Sequence, residues 1–338
     1  MPLPQQALEA IARLYGVTAA QLQPATGGHF AYVYELRLNQ RACILKIIPP
    51  NTDVDVRAMR AVLEWLAFLA EAGGPVVPPV FSQQGNLIEA MADGEQVYIA
   101  VVFEKAPGML AEGMAPEAWS DMLFEALGRT VGACHRIAQD YNPSKAEFRR
   151  PEWSAGSSCF NPHEELEDAD PILLERRAQT LERIAVLPKE RVSYGLAHLD
   201  LHFGNFFVDA EAQRIVLFDF DDCAYGWYLM DITMLLFDIL VVYNGHEPLN
   251  FGAHFLEQFL RGYRSQMPLD FFWVNQLPHF LKLLEIGVYA MLYRDYNPAT
   301  ADEWVSKFMP GRRERIEQAL PYVDLDFMAI YQASGRSS

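Results

Sequence analysis

The spacing of apolar residues changes once along this chain, and that change limits the folds open to it. Over roughly the first hundred positions apolar and polar residues alternate in short runs, at Tyr32 to Leu38, Cys43 to Ile48, Leu87 to Met91 and Val97 to Phe103. A repeat of two places every second side chain on one face, the pattern of a strand with one side in a core. Two helical stretches accompany these runs. Ala7 to Tyr15 is short and amphipathic, and Val54 to Ala72 carries Val56, Met59, Leu63, Leu66 and Leu69 on one stripe before Gly73-Gly74-Pro75 stops it. Beyond Pro107-Gly108 helical spacing takes over, first in Pro116 to Ala138, where Leu123, Leu127, Val131 and Cys134 share a face. It returns in Asp231 to Tyr243, Phe251 to Ser265, Phe271 to Arg294 and Glu303 to Leu320. The exception is Tyr194 to Asp222, where Phe206 to Val208 and Ile215 to Phe218 flank the polar turn Asp209 to Gln213 and predict a hairpin. The expected fold is α+β, with a small antiparallel-sheet domain over 1–105 and a mostly helical domain over 106–338.

Composition is consistent with that division. The 338 residues exceed one domain of about 150, and 51% hydrophobic against 21% charged residues is a globular balance rather than a disordered one. Twenty-seven Lys and Arg against 44 Asp and Glu give a net charge of -17, which argues against nucleic acid or an anionic membrane as partner. Cys43, Cys134, Cys159 and Cys223 are far apart, without the C-x-x-C spacing of a metal or redox site. The N-terminal residues lack a basic and apolar leader, and the most apolar run, Leu229 to Tyr243, is too short to span a bilayer and contains Asp231 and Asp238. A cytoplasmic setting is expected.

The densest polar cluster is His198-Leu-Asp200-Leu-His202-Phe-Gly-Asn205, followed by the hairpin and Leu217-Phe-Asp219-Phe-Asp221-Asp222. Transfer of a phosphoryl group to an alcohol needs a carboxylate near the attacking hydroxyl and hard oxygen ligands for Mg²⁺ on the nucleotide phosphates. Asp200, Asn205 and Asp219 supply such a set. An Asp and an Asn five residues apart can serve one metal from a single loop, and the second Asp ends the returning strand.

These residues resemble the aminoglycoside phosphotransferase and choline kinase group of the protein-kinase-like superfamily, whose catalytic loop reads H-x-D-x-x-x-x-N; His198, Asp200 and Asn205 match it. The resemblance implies a bilobal protein-kinase-like fold with ATP in the cleft, Asp200 as catalytic base, Asn205 and Asp219 as Mg²⁺ ligands, and His198 as a brace for the loop. It further implies that Gly27-Gly28 followed by Val33 forms a nucleotide-covering hairpin and that Lys46 reaches the α- and β-phosphates, with Glu64 as its ion-pair partner. Phe103, Glu104 and Ala106 fall at the hinge whose backbone reads the adenine edge. Leu127-Gly128 through His135 matches the helix beneath the catalytic loop, and Asp231 matches a helix-start aspartate that hydrogen-bonds that loop. Two departures stand out. Gly27-Gly28-His29-Phe30 is not G-x-G-x-x-G, and Phe220-Asp221 replaces the Phe-Gly of protein kinases, so that Asp221 or Asp222 would supplement the metal or face the substrate.

Other readings compete. Lys46 could snorkel at a sheet edge, Glu64 could sit on a solvated helix face, and His135, Met109 and Met114 read as core residues. His198 and His202 lack the H-E-x-x-H pattern of a zinc pair. Ile215 to Asp221 also resembles the first motif of haloacid-dehalogenase phosphatases, with Asp219 as nucleophile. That motif continues with Gly-Thr, whereas here Asp222-Cys223 follows, and it leaves Lys46, Asp200 and Asn205 idle. A protein Ser/Thr kinase and an inactive nucleotide-binding module of the same fold also remain. The acidic balance, with Asp221 and Asp222, favours an amino-bearing small alcohol as acceptor, of aminoglycoside, homoserine or choline type.

Overall fold

The computed structural model describes residues 3–25, 31–50, 52, 55–94, 96–154, 158–162, 170–242 and 248–335. By their contacts these form two units. The first lies within Met1–Pro107 and takes in two later segments, Tyr141–Arg149 and Val216–Asp221. Its elements are α1 (Gln5–Leu14), β1 (Gln23–Pro24), β2 (Tyr32–Leu38), β3 (Arg41–Ile48), α2 (Val56–Glu71), β4 (Pro79–Val80), β5 (Glu89–Asp93) and β6 (Gln96–Glu104). The sheet runs β1-β2-β3-β6-β4, with β5 also on β6, and each of these pairings is antiparallel. Alternation places Leu36, Cys43, Leu45, Ile47, Ala100 and Val102 on the buried face, where Ile11 and Ala12 of α1 meet them. Helix α2 starts where the Asp55 carboxylate accepts the Arg57 N–H (2.9 Å).

The two later segments are tied to this unit by identifiable contacts. Leu217 donates its N–H to the Pro75 carbonyl and accepts from Val77, each at 2.9 Å, and Phe220 meets Trp65 of α2 edge-on, centroids 5.2 Å apart. In the other segment Phe148 lies under Arg60 of α2, and Tyr141 packs on Phe68.

The second unit contains β7 (Met109–Leu110), α3 (Asp121–Ala138), α4 (Pro171–Ala185), β8 (Tyr194–Ala197), β9 (Phe206–Asp209), β10 (Arg214–Leu217, whose last two residues group with the first unit) and β11 (Ala224–Trp227). Among the described residues there follow the helices α5 (Leu229–Val242), α6 (Pro248–Arg264), α7 (Phe271–Val274), α8 (Leu277–Leu292), α9 (Glu303–Phe308), α10 (Arg312–Glu317) and α11 (Phe327–Ser334). The expected hairpin is the β9–β10 pair of a sheet ordered β10-β9-β7, and β8 pairs antiparallel with β11. Helix α5 is buried from Leu229 to Val241, as an all-round apolar helix must be. Among the described residues no helix is long and apolar enough to cross a membrane.

Three helices expected as single stretches are divided, each at residues that interrupt backbone hydrogen bonding. Pro116–Ala118 is a 3-10 turn, and α3 begins only at the Ser120 cap. Pro278 in the first turn of α8 cannot donate backward, so Phe271 to Arg294 becomes α7 and α8. Pro310 and Gly311, the latter at φ +67°, separate α9 from α10. Helix α4 was not expected from periodicity, although Asp170-Pro171 supplies a cap and first-turn proline for it.

Helices α3 and α6 touch at backbone distance. A Cβ on Gly128 would stand 1.9 Å from the Phe259 carbonyl oxygen, and one on Gly262 would stand 1.9 Å from that of Glu125. Backbone cannot yield as a flexible side chain can. Gly128→Ala is therefore expected to lower unfolding stability by about 2 kcal/mol or more despite the better helix propensity of alanine; denaturant titration with unchanged or higher stability would show that the contact is not this close.

Candidate active site

The segment that carries Asp200 leaves β8 and is held from below by α5. Asp231 and Asp238 are seven residues, two turns, apart and so share one face of that helix. Asp231 accepts the His198 N–H at 3.0 Å on Oδ2 and the Leu199 N–H at 2.7 Å on Oδ1. Asp238 accepts the Phe203 N–H at 3.1 Å. Two buried carboxylates thus anchor the backbone on either side of Asp200. Leu199 stands at φ +62°, a left-handed conformation that costs an aliphatic residue about 1–3 kcal/mol. Its hydrogen bond to Asp231 holds it there.

Asp231 is itself almost inaccessible and is satisfied on its far side. His135 of α3 places Nε2 2.9 Å from Asp231 Oδ2, and its Nδ1 is 2.9 Å from the Tyr263 hydroxyl. Burial acts to raise the Asp231 pKa, but the His135 hydrogen bond, the imidazoles of His135 and His198 and the Leu199 N–H hold it below its ordinary value. His135 is the hydrogen-bonded core histidine that its helix position suggests.

Within the loop, His198 Nδ1 accepts the Asp200 N–H at 3.3 Å. The Asn205 amide nitrogen donates to the Asp200 carbonyl (2.8 Å) and to its carboxylate (3.0 Å), which leaves Asn205 Oδ1 as the amide's remaining hard oxygen. His202 accepts the Gly204 N–H on Nδ1 at 3.0 Å, and its Nε2 lies 3.6 Å from Asp200 Oδ2. Burial alone would lower the His202 pKa; the adjoining Asp200 carboxylate, with Asp238 and Glu112, raises it instead.

Asp200 and His202 open onto a chamber of about 680 Å³ within this unit. Glu112, Asp238, Asp302 and Glu303 add carboxylates to its wall, against the ammonium of Lys307 among the described lining residues. Lys307 is engaged by Glu303 and by the Val242 carbonyl, both at 2.8 Å. Asp221 and Asp222, expected to face the substrate, are exposed and do not line this chamber. Sequence reasoning gave Glu112, Asp238 and Trp304 no role, although an aspartate seven residues after Asp231 in a wholly apolar helix is a visible signal.

In the first unit, Lys46 is half-buried on β3, opposite Val33 on β2 and Val101 on β6. Its ammonium lies 5.6 Å from the centre of the Phe103 ring. The expected ion pair with Glu64 is not formed: Glu64 accepts the Ser144 hydroxyl at 2.6 Å, and among the described residues no carboxylate reaches Lys46. At the end of β6, the Glu104 carboxylate binds Arg41 and the Glu104 N–H donates to the Pro78 carbonyl at 3.0 Å. The Ala106 N–H has no partner among the described residues. Asp219 stands at φ +61° just past β10, exposed, its carboxylate unengaged among the described residues. Gly27 and Gly28 lie outside the described residues.

A two-unit α+β architecture with this loop is that of a kinase-like phosphotransferase. The chain belongs to the phosphotransferase enzyme family that includes the aminoglycoside phosphotransferases, whose pattern matches residues 21–272. It is 32% identical over 341 residues to the amicoumacin kinase of Bacillus subtilis (strain 168), a match covering 96% of each chain. It is also similar to a solved amicoumacin kinase in complex with AMP-PNP, Ca²⁺ and Ami, with a TM-score of 0.81, 29% identity and 96% of each chain covered. The structure of a microcompartment-associated aminopropanol kinase has the same fold, with a TM-score of 0.66, 21% identity, and 94% of this chain and 96% of that one covered. The chain is accordingly a small-molecule kinase that phosphorylates a hydroxyl, and kinases of this family use ATP with a divalent metal. The phosphohydrolase reading of Ile215 to Asp221 falls with that membership.

Asp231→Asn should cost about 3 kcal/mol of unfolding stability near neutral pH, the scale of breaking a buried pair. The Asp231 pKa is lower in the folded than in the unfolded chain, so its contribution is complete above the ordinary value of 3.8 and is lost as pH falls below it. The gap between wild type and variant, followed by denaturant unfolding, should stay constant from pH 7 to about pH 5 and narrow below pH 4. A gap that widened on acidification would reverse this assignment.

Proposed function

We propose that this kinase phosphorylates an amine-bearing small alcohol, with Asp200 as the group that orients the acceptor hydroxyl and takes its proton. The observation that carries the reading is the position of Asp200 on the wall of an acid-lined chamber large enough for a drug-sized molecule. The acceptor oxygen forms its bond to the γ-phosphorus as the bond from phosphorus to the β,γ-bridging oxygen breaks. The hydroxyl proton passes to Asp200, and ADP leaves. Chemistry of this kind depends on placement and charge neutralisation, which fixed side chains supply.

In the same reading Asn205 and Asp219 hold Mg²⁺, which neutralises phosphate charge when bound. Their donors fit that ion: an amide oxygen and a carboxylate unengaged among the described residues, both hard oxygens. Lys46 takes the α- and β-phosphates, which the absence of a carboxylate partner for it among the described residues supports. The Ala106 N–H, without a partner among the described residues and beside Phe103 and Glu104, supports an adenine-reading hinge, and residues up to about Lys105 form the nucleotide-binding domain. His198 braces the loop through the Asp200 N–H. Asp221 and Asp222, exposed next to Asp219 in sequence, would supplement the metal site. Free thiols at Cys43, Cys134, Cys159 and Cys223 are consistent with a reducing cytoplasm. The relative named for amicoumacin makes that compound the first acceptor to try.

Asp200→Ala should lower kcat about a thousandfold while leaving the nucleotide Kd within about twofold. Asp219→Ala should instead raise the Mg²⁺ concentration needed for nucleotide binding. Retained kcat in the first variant removes Asp200 from the reaction, and an unchanged Mg²⁺ titration in the second removes Asp219 from the metal.

A further inference from the structure

The chamber at Asp200 is acidic at some positions, but much of its wall is apolar. Met234, Phe237, Leu284, Val288 and Trp304 all line it. Trp304, on the short helix α9, is the most specifically fixed of these. Its indole N–H donates to Asp238 Oδ1 at 2.9 Å. Its ring stacks on Phe308, which is fully buried and does not line the chamber, with centroids 5.4 Å apart at 27°. Phe237 adds a tilted contact at 6.2 Å. The indole is therefore braced from behind, tied at its edge and still half-buried rather than enclosed. The other oxygen of Asp238 accepts the Phe203 N–H, three residues after Asp200. One carboxylate thus joins the aromatic wall to the catalytic loop.

A ligand rich in hydroxyls would leave many of them facing these hydrocarbon walls without partners, which is costly. A purely apolar ligand would offer nothing to the carboxylates of Asp200 and Glu112 on the wall, whereas Asp302 already caps α9 and Glu303 already pairs with Lys307. An ammonium group answers Asp200 and Glu112, and a flat or branched apolar body satisfies the wall.

The geometry points to Trp304 as a specificity-determining residue that selects acceptors in which a hydroxyl and an amine are attached to an aromatic or branched apolar body. Asp238 sets its distance from Asp200. This inference rests on Asp200 marking the acceptor site, and it narrows the acceptor within the amine-bearing alcohols.

Two β-amino alcohols that differ only in their apolar part test it: phenylethanolamine and isopropanolamine. With the full-length wild-type enzyme and Mg-ATP, kcat/KM for the phenyl compound should exceed that for the methyl compound by about tenfold or more. Trp304→Ala should bring the ratio to within about twofold, and Trp304→Phe, which keeps an aromatic wall without the N–H, should retain most of the preference. Thermal melting identifies any variant that has unfolded, and in that event the wild-type ratio and the Phe variant decide. Equal kcat/KM for the two alcohols in the wild type, or a preference that survives Trp304→Ala in a folded protein, overturns the inference. Calorimetric titration with the same alcohols separates it from the catalytic reading. Phenyl-selective binding that requires Trp304 but gives no transfer upholds the wall and removes Asp200 as base for these alcohols. Transfer without phenyl selectivity leaves the base and removes the wall, and no binding of either compound overturns the wall.

Discussion

A carboxylate buried under the catalytic loop fixes where Asp200 stands. Asp231 takes two consecutive backbone N–H groups, and one of them belongs to a leucine in a conformation that leucine avoids. Hydrogen bonds to a carboxylate are among the stronger ones available to a backbone, and here they offset the strain at Leu199. The carboxylate can remain charged at that depth because His135 closes its other side. Asp238 repeats the device two turns later at Phe203. Since α5 is apolar and packed on every side, both anchors sit on an element with little freedom to shift. The loop that carries Asp200, the base in the proposed reaction, is thereby referenced to the core of its unit rather than to solvent.

The same economy appears in the first unit. Asp219 follows a strand whose end is bonded to Pro75 and Val77, and the next residue, Phe220, is locked against Trp65. An exposed carboxylate is thus flanked by buried, bonded backbone. Lys46 lies on a central strand, paired on both sides. Lys46 and Asp219 are therefore placed by the strands they sit on or follow, whereas the chamber beside Asp200 is walled by helices α5, α8 and α9 together with loop residues.

Much of this was legible in the sequence because periodicity reports burial. The strands at Tyr32–Leu38 and Arg41–Ile48, the helix carrying Glu64 and the hairpin after Asn205 all follow from apolar spacing, and the loop His198 to Asn205 is visible as polar residues crowded beside strands. Periodicity failed where local hydrogen bonding decides: at Pro278 and at Pro310-Gly311 the apolar stripe continues while the helix cannot. It was also silent on contacts made at long separation. Glu64 turns to Ser144, eighty positions away, and nothing in the spacing of α2 distinguishes that partner from Lys46. Trp304 joins Asp238 across sixty-six, which no local pattern encodes. The close approach of Gly128 and Gly262 could be suspected only as glycines tolerated inside helices.

The most direct test of the anchoring account is residue-resolved native-state hydrogen exchange of the catalytic loop in Asp238→Ala beside the wild type. The Phe203 amide should be protected in the wild type and exchange about tenfold or more faster in the variant, because alanine offers it no acceptor in place of the carboxylate. The Leu199 amide, held by Asp231, should keep its protection. A Phe203 amide that exchanges at the wild-type rate in the variant would contradict the account, since the loop would then be held by something other than the carboxylates of α5.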